Sequence, residues 1–253
     1  MKGEPFYTMG FYVALLFLTR IPLPQVKLDE NKIASSLPFF PLAGAVIGGI
    51  LTLIYILGQR ILPEQVVAGI IVVMSIIITG GMHLDGFADT MDGLFCFGDR
   101  EKKLTVMKDS RTGAYGVIGL ILIILLKYLL ISSLSKAYLI PALIGFPIIS
   151  RWMMTFAIVF YPYARENGLG KAFAGQKLVA FIFAGIITIL INYITVGLEG
   201  LIVVFGVFAA GFLFIQYILR QLGGMTGDTY GAINEFCEIM ALLMFSILSF
   251  RIG

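Results

Sequence analysis

Gly80-Gly81-Met82-His83-Leu84-Asp85-Gly86-Phe87-Ala88-Asp89-Thr90-Met91-Asp92-Gly93 decides the fold, because it begins inside an apolar run and ends among carboxylates. That run covers residues 66–84, enough helix to cross a hydrocarbon core about 30 Å thick. Outward from it, runs of similar length occupy residues 37–58, 115–134, 137–160, 178–196 and 201–219, with two shorter ones at 6–19 and 236–250. Of 253 residues, 59% are hydrophobic and 13% charged, against roughly 45–50% and 25% in soluble domains. The sequence therefore predicts an all-α, polytopic integral membrane helical bundle of seven to eight spans, with residues 1–253 forming one transmembrane catalytic domain. Too little chain lies outside the runs to bury a separate soluble core.

Charge orients the bundle. With eight crossings, the connections after spans one, three, five and seven hold twelve cations, from Arg20 to Arg220, whereas the opposite ends hold Lys2, Arg60, Lys136 and Arg251. The cation-rich side is then cytoplasmic, in a multi-pass protein surrounded by lipid. A net charge of +3 without a basic tract excludes nucleic acid as a partner. Cys96 and Cys237 are too isolated for a zinc ribbon or a disulfide framework. His83 is the sole histidine, which excludes zinc sites built on two or three imidazoles. Carboxylates must carry most of the polar chemistry, and oligomeric state stays open between monomer and homo-oligomer.

Nine of the fifteen acidic residues fall in two short segments on the cytoplasmic side. In the first, Asp85, Asp89 and Asp92 stand at i, i+4 and i+7, within an arc of about 60° on one helix face. Like charges so arranged repel, and a hard divalent cation, Mg²⁺ above all, relieves them where a phosphate supplies the remaining oxygens. Solvation of a frayed helix end is the plainer alternative. The second segment reads Gly223-Gly224-Met225-Thr226-Gly227-Asp228-Thr229-Tyr230-Gly231-Ala232-Ile233-Asn234-Glu235. A shift of 143 residues lays Gly80, Gly81, Met82, Asp85 and Asp92 over Gly223, Gly224, Met225, Asp228 and Glu235, and residues 37–58 over the run at 178–196. This suggests a parallel internal repeat with two acidic stripes facing each other.

Facing stripes at a membrane boundary suit a diphosphate held through metal. Asp85, Asp89, Asp92, Asp228 and Glu235 are the candidate metal ligands. Cations for the phosphate oxygens are sought in Lys108, Arg111, Lys171 and Arg20, although lysine and arginine near span ends also anchor to headgroups. Arg151 and Lys127 lie inside runs, where charge is costly and calls for a bundle-facing or functional role. His83 faces about 160° away from Asp85 on a regular helix. It is either a packing residue or, with Asp85 and Asp89, part of the catalytic set as a base or orienter.

The chain resembles the cobalamin synthase family, the adenosylcobinamide-GDP ribazoletransferases. The likeness rests on Phe17-Leu18-Thr19-Arg20-Ile21-Pro22, Phe39-Phe40-Pro41-Leu42 with Gly44, and His83-Leu84-Asp85-Gly86-Phe87-Ala88-Asp89-Thr90-Met91-Asp92-Gly93. It continues through Lys108-Asp109-Ser110-Arg111 to Gly113-Ala114-Tyr115-Gly116 and through Gly223-Gly224-Met225-Thr226-Gly227-Asp228 with Gly231, Ala232 and Glu235. The resemblance implies a transferase of vitamin B12 (cobalamin) biosynthesis, located in the cell (inner) membrane. Such an enzyme joins adenosylcobinamide-GDP to alpha-ribazole or its 5′-phosphate with Mg²⁺, giving adenosylcobalamin or its phosphate and GMP. It also places Thr226 among the substrate- or phosphate-binding residues. Three rivals share parts of this chemistry: aromatic-acceptor prenyltransferases, CDP-alcohol phosphotransferases and a divalent-cation transporter. The first two differ in motif spacing, and the third favours acids nearer the bilayer midplane.

Overall fold

The computed structural model describes residues 6–27, 29–165, 173 and 178–252. Two short helices, α1 (Phe6–Leu18) and α2 (Glu30–Ser36), precede α3 (Phe40–Gly58), α4 (Glu64–Thr79) and α5 (Met82–Phe95). A connector, α6 (Arg100–Val106), leads to α7 (Ala114–Ser133) and α8 (Lys136–Phe160), then α9 (Leu178–Val196), α10 (Leu198–Leu222) and α11 (Gly227–Ile252). Among the described residues the non-helical pairing is one parallel bridge, Tyr163 to Met225. In lipid the backbone must satisfy itself, which is why apolar runs of this length become helices.

Helix α8 is the hub. Almost all of it is buried, and it packs antiparallel on α3, where Gly44 and Gly48 sit against the backbone at Pro147 and at Leu143–Ile144. This Gly-x-x-x-Gly spacing puts both small residues on one face, so two backbones touch without side chains between them. Ion pairs and hydrogen bonds fix one end of the bundle, with Lys136 near Glu64, Tyr138 donating to Glu199 and Ser135 N–H to Ser249. At the other end Arg100 Nε donates to the Leu222 carbonyl, and Ala164 and Met225 exchange main-chain bonds with Met225 and Pro162. The acidic segments belong to this second end.

Six helices are long and apolar enough to cross a membrane, and seven if the bent pair α4 and α5 is counted as one span. The protein is a multi-pass helical membrane bundle, at the lower of the two span counts expected. Among the described residues, 6–19 supply no eighth crossing, the thirteen helical residues of α1 reaching about 20 Å. The run at 236–250, by contrast, extends back to Gly227 to make a full-length helix. Hydropathy hides that extension because Asp228 and Glu235 fall in it, although Glu235, like Glu238 in the run itself, is neutralised inside the bundle, by Lys127 and, for Glu238, by Arg151 as well.

The run at 66–84 is not one helix. It breaks at Gly80-Gly81 into α4 and α5, bent by 90°, with both glycines in the left-handed region at φ 67° and 69°. Gly223 closes α10 as Gly80 closes α4, at φ 69°, but Gly224, the counterpart of Gly81, is not left-handed, so the sequence repeat holds in the structure at the first glycine of the turn. Beyond the turn it fails as a parallel repeat. As α5 steps from His83 to Gly86, its neighbour on α11 steps back from Gly231 to Asp228, so the two acidic helices run in opposite directions. Helix α4, at sixteen residues, stops at the bend and α5 continues at 90° to it, whereas α10, at twenty-five, runs on to the end of the bundle before α11 turns back.

Candidate active site

Glycines bring the two acidic segments together. A Cβ on Gly86 would stand 2.8 Å from the Asp228 carbonyl oxygen, and one on Gly231 3.0 Å from that of His83. With nothing between the backbones, Asp85 and Asp228 open onto one cavity of about 190 Å³. Asp85 is exposed and Asp228 half-buried, so they mark its mouth. Phe40 and Phe173 lie buried on its wall, joined edge to face at 5.7 Å, and Phe17 meets Phe173 in the same way at 5.6 Å.

The five carboxylates expected to share metal divide into two groups. Asp85 and Asp89 lie on the open side of α5, and Asp85 has no ion pair and no side-chain hydrogen bond among the described residues. Asp92 is buried and receives the N–H of Gly113 at 2.7 Å and of Gly116 at 2.8 Å. It thereby neutralises the N-terminus of α7, where free amides and the helix dipole favour an anion. Either glycine would drive a Cβ to 2.5 Å from this carboxylate. Glu235 is likewise buried, with Lys127 Nζ donating to it at 2.6 Å. Among the described residues no three or more His, Cys, Asp or Glu side chains stand close enough to cage an ion by themselves.

Lys127 also donates to Glu238 at 2.6 Å, and Arg151 binds Glu238 through Nη1. Asn234 adds a donor to Glu238 at 3.1 Å. Two cations and two carboxylates thus cancel in a sealed core, the one way such charges persist in a membrane interior. Arg151 is therefore held by Glu238 and by Ser150 Oγ at 2.9 Å, away from the mouth. Its Nη2 lies 3.5 Å from His83 Nδ1.

The expected phosphate cations are scattered. Arg111 is exposed and forked onto Asp109, with Nη2 donating at 2.9 Å and Nε at 3.2 Å. Those bonds hold the Asp109 carboxyl down at about 2. Arg111 and Asp109 line a different groove, on the Asp92 side of α5, and Lys108 is exposed in the same loop. Arg20 lays its side chain over Gly80, while its N–H donates to the Ile78 carbonyl. Thr226 caps α11, receiving the Thr229 N–H at 3.2 Å while its own N–H donates to Thr229 Oγ1 at 2.7 Å. Lys171 lies outside the described residues.

Among the described residues the cation that stands at the mouth is Arg165, which sequence reasoning counted only as a loop charge. The bridge between Tyr163 and Met225 carries the segment after Pro162 onto the second glycine turn, and Tyr163 stacks on Tyr230 at 6.5 Å. Arg165 Nη2 ends 2.7 Å from Asp228 Oδ2, but off the line a hydrogen bond needs, since both atoms lack a directed partner among the described residues. The attraction is that of charges in contact, and either group can turn to a ligand. A Pro-Tyr-Ala-Arg stretch beside an apolar span carries no motif that announces this.

Comparison with known proteins follows the same boundaries. The family model described as CobS, cobalamin-5-phosphate synthase, matches residues 10–246. The chain is similar to a protein named adenosylcobinamide-GDP ribazoletransferase from Caldanaerobacter subterraneus subsp. tengcongensis, 39% identical over 241 residues, covering 93% of this chain and 97% of that one. Proteins of the same name match from Fusobacterium nucleatum, at 35% identity covering 96% and 99%, and from Clostridium novyi, at 36% covering 93% and 94%. No solved structure matches.

Proposed function

This chain belongs to the cobalamin-5-phosphate synthase family, and from that premise we infer that it is an adenosylcobinamide-GDP ribazoletransferase. It transfers the phosphocorrinoid of adenosylcobinamide-GDP to alpha-ribazole or its 5′-phosphate, forming adenosylcobalamin or its phosphate and GMP. The observation that carries the reading is the meeting of two distant acidic motifs, through Gly86 and Gly231, at the mouth of one cavity. End-to-end likeness to proteins of that name leaves the prenyltransferase, phosphotransferase and transporter readings without support.

The donor set fits Mg²⁺ as an open site. Asp85, Asp89 and Asp228 offer hard oxygens from two elements, Asp228 Oδ2 lacks a directed partner, and substrate phosphates would complete the coordination, as is usual for this ion. When bound, Mg²⁺ supplies charge neutralisation and alignment of the diphosphate. Asp92 and Glu235 stand outside this set, being consumed by the α7 N-terminus and by Lys127. A ribose hydroxyl of the ribazole attacks the phosphorus nearer the corrinoid. Its proton passes to a carboxylate, for which Asp85 is the open candidate, and the bond to the GMP phosphate oxygen breaks with its electrons leaving on GMP. Arg165 moves from Asp228 to the phosphate oxygens as the diphosphate arrives. The cation excess of the site end, with Arg100, Lys102, Lys108 and Arg111 in one connection, argues for a cytoplasmic mouth in the inner membrane.

Incubation of the purified protein with adenosylcobinamide-GDP, alpha-ribazole and Mg²⁺ should give adenosylcobalamin and GMP by mass. Absence of both products, with Mg²⁺ or Co²⁺ flux in proteoliposomes lacking corrinoid, would instead establish a transporter.

A further inference from the structure

The segment after α8 is tied to the second glycine turn. Ala164 N–H donates to the Met225 carbonyl at 2.7 Å and Met225 N–H to that of Pro162 at 2.8 Å, and a Cβ on Gly224 would come within 2.9 Å of the Pro162 carbonyl oxygen. Gln216 Nε2 donates to the Tyr161 hydroxyl at 2.9 Å, and Tyr163 stacks on Tyr230. The backbone is thus held up to the residue before Arg165, which leaves the arginine side chain as the part able to move. That side chain is 15% exposed and that of Asp228 24%, so water screens their contact less than it would at an open surface.

The contact sets up a competition. Arg165 Nη2 stands 2.7 Å from Asp228 Oδ2, and both atoms are shut off from solvent. A metal ion that takes this oxygen must therefore take the place of the guanidinium. Nε and Nη2 of Arg165 are buried without a hydrogen-bond partner among the described residues, so the charge of Asp228 is what compensates them. A dication arriving alone would part the guanidinium from its counter-charge and leave it beside a second positive charge, which is costly where water is scarce. Among the described residues no three ligating side chains stand close enough to hold an ion by themselves, so the protein alone offers the dication little in return. A diphosphate changes the balance. Its non-bridging oxygens give the fork of Arg165 charge-assisted acceptors and give a metal at Asp228 its remaining ligands.

Resting on the transferase reading above, we propose that Arg165 is a latch on Asp228 that sets the order of binding. It excludes a divalent cation from this carboxylate until a diphosphate is present, and metal and diphosphate then enter together. One side chain thereby couples the two ligands, each raising the affinity of the other.

Equilibrium dialysis of the purified protein, with Mn²⁺ standing in for Mg²⁺, reads the latch without turnover. With metal alone, Arg165→Gln and Arg165→Ala should each bind Mn²⁺ roughly 10- to 100-fold more tightly than the native protein. Neither change removes a main-chain bond of the segment. Arg165→Lys, which keeps the positive charge, should stay close to native, and adding Asp228→Asn to Arg165→Gln should remove the gain. Adenosylcobinamide-GDP should raise the Mn²⁺ affinity of the native protein by more than it raises that of Arg165→Gln. Equal Mn²⁺ affinity in the native protein and both neutral variants, a lysine variant that gains as much as they do, or a gain that survives Asp228→Asn overturns the latch and leaves the transferase reading intact. A native protein that makes no cobalamin overturns the transferase reading. The titrations with metal alone need no corrinoid and still decide the competition at Asp228.

Discussion

The two Gly-Gly-Met turns use the same local chemistry and produce different structures. Gly80 and Gly223 both end a helix in the left-handed region, where a residue without a Cβ avoids a steric penalty of about 1–2 kcal/mol. Each also lies under an arginine side chain, Arg20 over the first and Arg100 over the second. Yet the first turn bends the chain by 90° between α4 and α5, while the second sits at the end and reverses the chain. Helix length decides, since α4 expires nine residues sooner than α10. A turn motif specifies its own dihedrals, but its depth and consequence depend on how much helix precedes it.

The largest effect should come from the carboxylates that the two turns deliver to the mouth. Asp85→Asn and Asp228→Asn are each expected to lower turnover about 100- to 1,000-fold, measured under titration with Mg²⁺. Near-native turnover in both would remove the basis for the shared site. Glu235→Gln should behave differently, because its partner is Lys127: its principal loss is in stability, with weak dependence on added metal.

The buried network below the first turn gives the next effect. Lys127→Met leaves Glu235 and Glu238 short of a cation, and removing one partner of a buried pair costs about 3–5 kcal/mol. The double change Lys127→Met with Glu235→Gln should recover much of that loss in thermal unfolding of the detergent-solubilised protein. If the double variant is no more stable than the single, the network does not hold the turn. Gly80→Ala and Gly223→Ala should each cost about 1–2 kcal/mol from the backbone alone. Of the two, Gly80→Ala should lose more activity, because the turn it makes leads into α5, which carries both Asp85 and Asp89.

The smallest effect is expected outside the bundle. Asp109 is hydrogen-bonded by Arg111, so its folded pKa is depressed to about 2. Its contribution to stability is present above the ordinary carboxylate range and lost only as pH falls through that value. Between pH 5 and 8 the unfolding stability of Asp109→Asn should therefore vary with pH as that of the native protein does, differing at most by a small constant offset.

Much of this was legible residue by residue. Hydropathy located the helices because every apolar stretch near 20 residues must become one in lipid. The sites where it erred share a cause. Residues 66–84 read as one span because Gly80-Gly81 lowers apolarity too little to register, and 236–250 read short because its acids count as charged whether or not a cation meets them. The repeat was visible as an offset of 143 residues, but opposite helix directions leave no trace in a superposition of letters. Among candidate ligands, Asp85, Asp89 and Asp228 reach the open face. Asp92 and Glu235 were indistinguishable from them by type and spacing, and Gly113 and Lys127, which claim them, come from a helix more than twenty positions away.

The sequence by itself determined that this chain lives in a membrane as a helical bundle, that its carboxylates gather in two places, and which family it joins. These follow from composition, period and motif, which are properties of order along one chain. Only the tertiary structure decided which acids are spent on amides and lysine, that Arg165 stands on Asp228, and that His83 lies beside Arg151. Each of those outcomes depends on the atom that happens to lie within about 3 Å, and in a packed interior that neighbour comes from another helix.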